Sequence, residues 1–278
     1  MKPKAIVMDI DGTLINHEGH IGKETKAALL QAQASGIRLI LASGRPLNGM
    51  LHLAKELEMD AHHGLCISFN GAKVADIQTQ EELFDQTIDI ETAKQVLEHA
   101  KQFDVQPLII NQEYAFVNDV YKCMVHVNGK ELNIMNHEAH DNHYKLCEID
   151  DLAAFLDFPL NKILIIGEPE YLKAHHEAIS APFKGKLNSM FTAPFYYEFT
   201  DLGIDKVKAL DSVLGSMNIQ PEEIMAFGDA QNDITMIRYA GVGIAMGNAV
   251  DELKAAADEI TRSCDEEGIA YSLHHHLS

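Results

Sequence analysis

The feature that most constrains this chain is a set of short, unbroken apolar runs, each stopped abruptly by polar or acidic residues. Ala5 to Met8 stops at Asp9, Leu39 to Ala42 stops at Ser43-Gly44-Arg45-Pro46, and Ile224 to Phe227 stops at Gly228-Asp229. A further strand candidate, Leu65-Cys66-Ile67-Ser68-Phe69, ends at Asn70-Gly71, a strong turn pair. Short apolar runs without polar alternation predict strands buried on both faces, as in a parallel sheet. Helical patterns lie between them. Residues 23–34 carry Ala27, Ala28, Leu30 and Ala34 at helical spacing, and Gly36 stands where a helix C-cap belongs. Pro46 suits the first turn of a helix running to about Leu57.

From Tyr196 the same alternation returns. A helix is predicted over Lys206–Met217, with Val207, Leu210, Val213 and Leu214 on one face. Helices across Ile234–Tyr239 and Val250–Ala257 flank a strand at Val242–Met246. The middle of the chain reads differently. Helical segments near Glu91–Phe103, Asp150–Leu156 and Glu170–Ile179 alternate with strands near Pro107–Asn111, Ala115–Asn118, Lys162–Ile166 and Leu187–Phe191. Val125 to Tyr144 is polar and His-rich and reads as a long connection. The fold class is therefore α/β: a Rossmann-like parallel sheet core with helices on both faces, plus an inserted α+β domain. The expected division is a core of 1–83 and 192–278 with 84–191 inserted, domain insertion at a core loop being physically ordinary. No internal repeat of fixed period occurs.

Composition narrows the partners. Lys and Arg total 22 and Asp and Glu total 42, a net charge of −20 over 278 residues. Such a surface repels phosphate backbones and anionic lipid, which argues against nucleic acid or membrane as the main partner. No apolar run reaches the roughly 18 residues of a membrane span, and Asp9 interrupts the N-terminal segment before a signal-peptide core could form. Cys66, Cys123, Cys147 and Cys264 form no CxxC pair, so a disulfide framework is not expected and a reducing, cytoplasmic setting is.

The residues that carry chemistry sit at the predicted strand ends. Ligands of open α/β sheets bind outside the carboxyl ends of the strands. In Asp9-Ile10-Asp11-Gly12-Thr13-Leu14, positions i and i+2 of an extended chain point the same way, so the two carboxylates should converge. They would repel unless a cation lay between them. Gly12 and Thr13 offer amides for an anion-binding nest; a turn or helix cap is the alternative. Gly228-Asp229-Ala230-Gln231-Asn232-Asp233 brings a second acidic strand end, with capping of the next helix as its alternative. Asp9, Asp11, Asp229 and Asp233 together suggest a hard cation with oxygen ligands, and few protein ligands beside waters and a phosphate is the Mg²⁺ pattern. Ser43 and the amides after it suit one phosphate oxygen, or else Ser43 caps the Pro46 helix. Lys206 at a helix start opposes the dipole, which is weak support for a charge partner.

These motifs, in this order, resemble the haloacid-dehalogenase-like superfamily, in the Cof-type branch of sugar-phosphate phosphatases with a large inserted cap (class IIB). The resemblance covers nearly the whole chain: Asp9-x-Asp11-Gly12-Thr13-Leu14, then Ser43-Gly44-Arg45, then Lys206, then Gly228-Asp229-x-x-Asn232-Asp233, with Gly247-Asn248-Ala249 after the next strand. It implies a Mg²⁺-dependent phosphatase acting on small phosphorylated metabolites as a monomer or homodimer. Asp9 would be the nucleophile that becomes an aspartyl-phosphate, and Asp11 the acid and base. Asp9, the Asp11 backbone carbonyl and Asp229 would hold Mg²⁺, with Asp233 assisting. Ile10 through its backbone N–H, Ser43, Gly44, Lys206 and Asn232 would cradle the phosphoryl group. The 84–191 insert would close over the sheet edge and choose the substrate. An acid at position 11 favours phosphatases, since dehalogenases of the superfamily lack one there.

The chain departs from the pattern at Val207, often glycine in this branch, and in the stretch before Lys206. Two other activities fit the same residues: a phosphotransferase or phosphomutase, and a non-catalytic phosphometabolite-binding protein, which would have no use for the acid at Asp11. His126, His137, His140 and His143 match no strong metal spacing and read as a solvated polar loop, and His62-His63 and His274-His275-His276 read as surface residues.

Overall fold

A computed structural model describes residues 3–127 and 129–277. In chain order the first five strands are β1 Ala5–Met8, β2 Arg38–Ala42, β3 Leu65–Ser68, β4 Lys73–Asp76 and β5 Glu82–Asp85. The next eight are β6 Gln106–Asn111, β7 Tyr114–Val117, β8 Met124–Val127, β9 Lys130–Asn133, β10 Lys145–Glu148, β11 Lys162–Ile166, β12 Leu187–Ala193 and β13 Tyr196–Asp201. Three more follow, β14 Ile224–Gly228, β15 Val242–Ala245 and β16 Glu259–Ile260. Two compact units result, one of 1–85 with 205–278 and one of 86–204.

The first unit is built on an eight-stranded sheet in the order β16-β15-β14-β1-β2-β3-β4-β5. Strands from β16 to β3 run parallel, and β4 and β5 add an antiparallel edge. Every residue of β1 is 0% exposed. Successive side chains of a strand point to opposite faces, so both faces are covered, as the unbroken apolar runs require. The helix Lys23–Ala34 buries Ala28, Leu29 and Ala32 and packs on the C-terminal helix Gly268–His276. Gly36 closes it at φ +86°, conformational space glycine enters freely.

Topology decides where a site can form. The chain leaves β1 to build β2 and β3 on one side and returns at β14 on the other, continuing outward to β15 and β16. The order therefore reverses between β1 and β14, and the crevice at their carboxyl ends is the preferred ligand position in such sheets. Asp9 follows β1, and Asp229 follows β14.

The second unit carries a six-stranded sheet, β10-β7-β6-β11-β13-β12, and the separate β8–β9 hairpin. Alternation splits its apolar residues between two cores. Ile163, Ile165, Tyr197 and Phe199 enter one with the helix Ile90–Ala100, while Leu164 and Ile166 enter the other with the helix Ile134–Asn142.

Two expectations about the middle of the chain change. The division falls after Ile204, not after Phe191, because β13 pairs with both β11 and β12 and so carries residues 196–201 into the second sheet. The stretch 125–144 is not a bare connection: it holds most of the β8–β9 hairpin and the helix Ile134–Asn142, whose N-cap Asn133 accepts from the Asn136 N–H at 3.0 Å. Its buried apolar residues, Val125, Ile134, Met135 and Tyr144, are few, so polar composition hides the pattern. Asn128 of this stretch lies outside the described residues. His126 pairs with Glu168 and His137 with Asp141. No helix is long and apolar enough to cross a membrane among the described residues, and all four cysteines are unpaired there.

Candidate active site

The site begins where β1 ends. Pairing stops at Met8, and residues 9–15 turn back, closed by the Ile10 carbonyl, which accepts from the N–H groups of Thr13, Leu14 and Ile15 at 3.3, 3.0 and 3.0 Å. Ile10 itself is fully buried. Gly12 sits at φ +81°, and a Cβ there would stand 2.5 Å from Asp229 Oδ2. Glycine is thus required twice at this position, by conformation and by the close approach of a carboxylate. Thr13 Oγ1 donates to Asp229 Oδ1 at 2.7 Å, so the two acidic strand ends are joined directly. Asn248 ties the same loop from another side, donating to the Gly12 carbonyl at 2.7 Å and accepting from the Cys264 N–H at 2.9 Å.

Lys206 lies at the centre. It opens the helix Lys206–Leu214, whose N-cap Asp205 accepts from the Val207 N–H at 2.7 Å, so a side-chain cap organises the start where glycine was expected at 207. The ammonium is 1% exposed and donates to Asp9 Oδ1 and Asp233 Oδ1, both at 2.6 Å. Burial works to discharge it, but the two carboxylates outweigh burial and hold it charged. This answers the misfit of a lysine against a helix dipole. Asp233 also accepts from the N–H groups of Asp229 and Ala230 through Oδ2, at 3.0 and 3.1 Å. One carboxylate therefore both caps the turn after β14 and anchors the lysine.

Asp9, Asp229 and Asp233 offer oxygens that all lie within 4.8 Å of one another. Three acids face one lysine. Burial, with Asp233 and Asp229 acting in the same direction and Lys206 against them, leaves the Asp9 carboxyl raised to about 8. Asp229 is raised as well, by burial first, with the Thr13 hydrogen bond opposing. An all-oxygen donor set with an uncompensated excess of buried acid fits a hard divalent cation, which would relieve that repulsion.

Asp11 does not join this group. Because the strand ends before Asp9, the spacing argument for two converging carboxylates fails, and the Asp11 side chain turns to the surface at 57% exposure. Its two oxygens are gripped by Arg45, Nε to Oδ2 at 2.9 Å and Nη2 to Oδ1 at 2.7 Å. The carboxylate is thus outside the acidic cluster, and only the Asp11 backbone is left as the expected donor to a cation. Arg45 stood in a recognised motif, yet nothing in its spacing announced this pairing across 34 positions.

Ser43 is buried at the end of β2, and its Oγ accepts from the Arg45 N–H at 3.2 Å. It does not cap the next helix: Pro46 occupies the N-cap of a short helical turn, Leu47–Gly49. Asn232 is exposed and donates through Nδ2 to Asn70 Oδ1 at 3.1 Å. Asn70, read from sequence only as a turn residue, thereby enters the site. A carbonyl-side turn between two phosphate-type motifs was the available signal.

The family model for haloacid dehalogenase-like hydrolases matches residues 6–273. This chain belongs to that family. Among family members, it is 30% identical over 277 residues to the 5-amino-6-(5-phospho-D-ribitylamino)uracil phosphatase YcsE of Bacillus subtilis, covering 98% of this chain and 95% of that one. A haloacid dehalogenase-like hydrolase of Bacteroides thetaiotaomicron superposes with a TM-score of 0.90 at 32% identity, covering 99% of each chain. The subclass IIB sugar phosphatase BT4131 superposes at 0.77 with 26% identity, covering 98% of each. The haloacid dehalogenase-like chain described here stands with the phosphatases of its family, and its α/β core and inserted α+β unit are those of the subclass.

Proposed function

We propose that this protein is a Mg²⁺-dependent phosphatase of small phosphorylated metabolites, sugar phosphates or similar compounds, working through an aspartyl-phosphate on Asp9. The observation that carries the reading is the buried array of Asp9, Lys206, Asp233 and Asp229 at the carboxyl ends of β1 and β14. Asp9, Asp229 and the Asp11 carbonyl would hold the cation, with Asp233 behind them. When bound, Mg²⁺ supplies positive charge that offsets the meeting of a carboxylate with a phosphate dianion.

The residues divide the work as follows. Asp9 attacks phosphorus, and the ester P–O bond breaks. Asp11 gives its proton to the departing alkoxide. Water then attacks the phosphorus of the acyl phosphate, Asp11 takes its proton, and orthophosphate leaves with Asp9 restored. Lys206 orients Asp9 and opposes the rise that burial imposes on it, the cation would complete its ionisation, and Ser43, Gly44, Asn232 and the Ile10 N–H receive the phosphoryl oxygens. The inserted unit, with its own cores, is the part expected to select the substrate. Four unpaired thiols suit a reducing cytoplasm.

Release of orthophosphate from p-nitrophenyl phosphate and from a panel of sugar phosphates tests the reading. Turnover should require Mg²⁺, stop with EDTA, and vanish in Asp9→Asn. Full activity in Asp9→Asn would remove the nucleophile assignment.

A further inference from the structure

The turn after β3 is strained in a way that its role as a simple connection does not explain. Phe69 and Asn70 both adopt the left-handed region, at φ 53° and 57°. For a bulky side chain such as Phe69 this conformation is costly, and strain of this kind is retained where surrounding structure demands it. Asparagine tolerates the conformation, which accounts for the Asn70 backbone but not for the aim of its carboxamide.

That carboxamide meets residues assigned to phosphate binding. Its Oδ1 accepts from Asn232 Nδ2 at 3.1 Å, while the Asn70 backbone N–H, not the carboxamide, donates to the Ser43 carbonyl at 2.9 Å. A Cβ on Gly44 would stand 3.0 Å from Asn70 Nδ2, so the two loops approach almost as closely as a glycine permits. The neighbouring Gly71, at φ +107°, lies where a Cβ would come within 2.3 Å of the Asp205 carbonyl, against the start of the Lys206 helix. One turn therefore touches Ser43, Gly44, Asn232 and the cap of Lys206, which come from three distant parts of the chain.

We propose that Asn70 is a positioning residue of the phosphoryl site, whose carboxamide holds Asn232 at the spacing a phosphoryl group needs, from a turn whose backbone is bonded to the Ser43–Gly44 loop. This rests on the phosphatase reading above. Asn70 acts through Asn232, so removing it should weaken phosphate binding whatever the leaving group is, and should add nothing once Asn232 is gone.

Asn70→Gly is the informative variant, because glycine holds φ 57° without strain and lacks only the carboxamide. Its thermal midpoint should equal or exceed that of the unaltered protein. The competitive inhibition constant of orthophosphate and the KM for p-nitrophenyl phosphate should rise about tenfold, the scale of one hydrogen bond to a charged group. The double variant with Asn232→Ala should be no worse than Asn232→Ala alone. If the glycine variant does not fold, Asn70→Asp, which keeps size and shape but adds a charge, should raise the same constants. An orthophosphate constant within about twofold of the unaltered protein, or additive losses in the double variant, would overturn the proposal. Should the unaltered protein release no phosphate from any ester, the phosphatase reading falls by itself. Calorimetric titration of both proteins with orthophosphate and Mg²⁺ would then still decide for or against Asn70.

Discussion

At the scale of single residues, the site is an exercise in distributing negative charge. Asp9 is 6% exposed and Asp233 0%, and burial of unpaired carboxylates at that depth is prohibitive. Lys206 satisfies one oxygen of each, and two backbone N–H groups take the other Asp233 oxygen. Asp11 is handled differently, by the fork of Arg45, whose two parallel donors fix both position and orientation of a carboxylate. A group meant to pass a proton to a leaving oxygen gains from such orientation, and the gain depends on how much help that oxygen needs. Arg45→Ala should therefore lower kcat for alkyl phosphates by about tenfold or more while altering p-nitrophenyl phosphate turnover much less, since a good leaving group departs without a proton. Parallel assays of the two ester types check this, and equal losses on both would show that Arg45 serves binding instead.

At the scale of elements, the chemistry depends on how strands and helices begin and end. β1 and β14 stop together, and the loops after them are locked by the Thr13–Asp229 hydrogen bond and by the approach that Gly12 allows. Gly12→Ala meets both the left-handed φ and the Asp229 carboxylate. It should cost at least an order of magnitude in kcat, with the loss confined to activity if the sheet is intact by circular dichroism. The helix carrying Lys206 begins with the Asp205 cap. Asp205→Ala should lower stability by about 1 kcal/mol in a urea titration, and loosen Lys206 enough to lower kcat further. An unchanged midpoint would mean that the cap contributes nothing there.

At the scale of the whole molecule, the net charge of −20 argues against polyanionic partners, while the proposed substrate is itself an anion. Long-range steering and local binding are separate: charges beyond about 8 Å are screened at physiological salt, while Lys206, backbone amides and a bound cation act within that distance. The acidic surface gives substrate capture no electrostatic acceleration. Catalytic efficiency at saturating Mg²⁺ should thus stay level or rise slightly with added KCl. A steep fall would point to attractive steering by a basic region not evident in the composition.

What could be read without the tertiary structure was the content of short-range physics. Unbroken apolar runs state that a strand is buried on both faces, and acidic strand ends state where chemistry gathers. Those signals sufficed for the parallel sheet and for the neighbouring strand ends that carry Asp9 and Asp229, whereas Lys206 offered only a misfit with the helix dipole and its role came from the resemblance. They failed where meaning depends on partners far along the chain. β13 reads the same whether it joins one sheet or another, and only its pairing with β11 and β12 moved the boundary past residue 191. Asp11 shows the same limit: its spacing from Asp9 predicts convergence only while the strand continues, and the strand stops at Met8. Arg45 and Asn70 became legible only once β1, β2, β3 and β14 lay side by side. Local sequence fixes what each residue can offer, whereas the register of a sheet decides which offers meet.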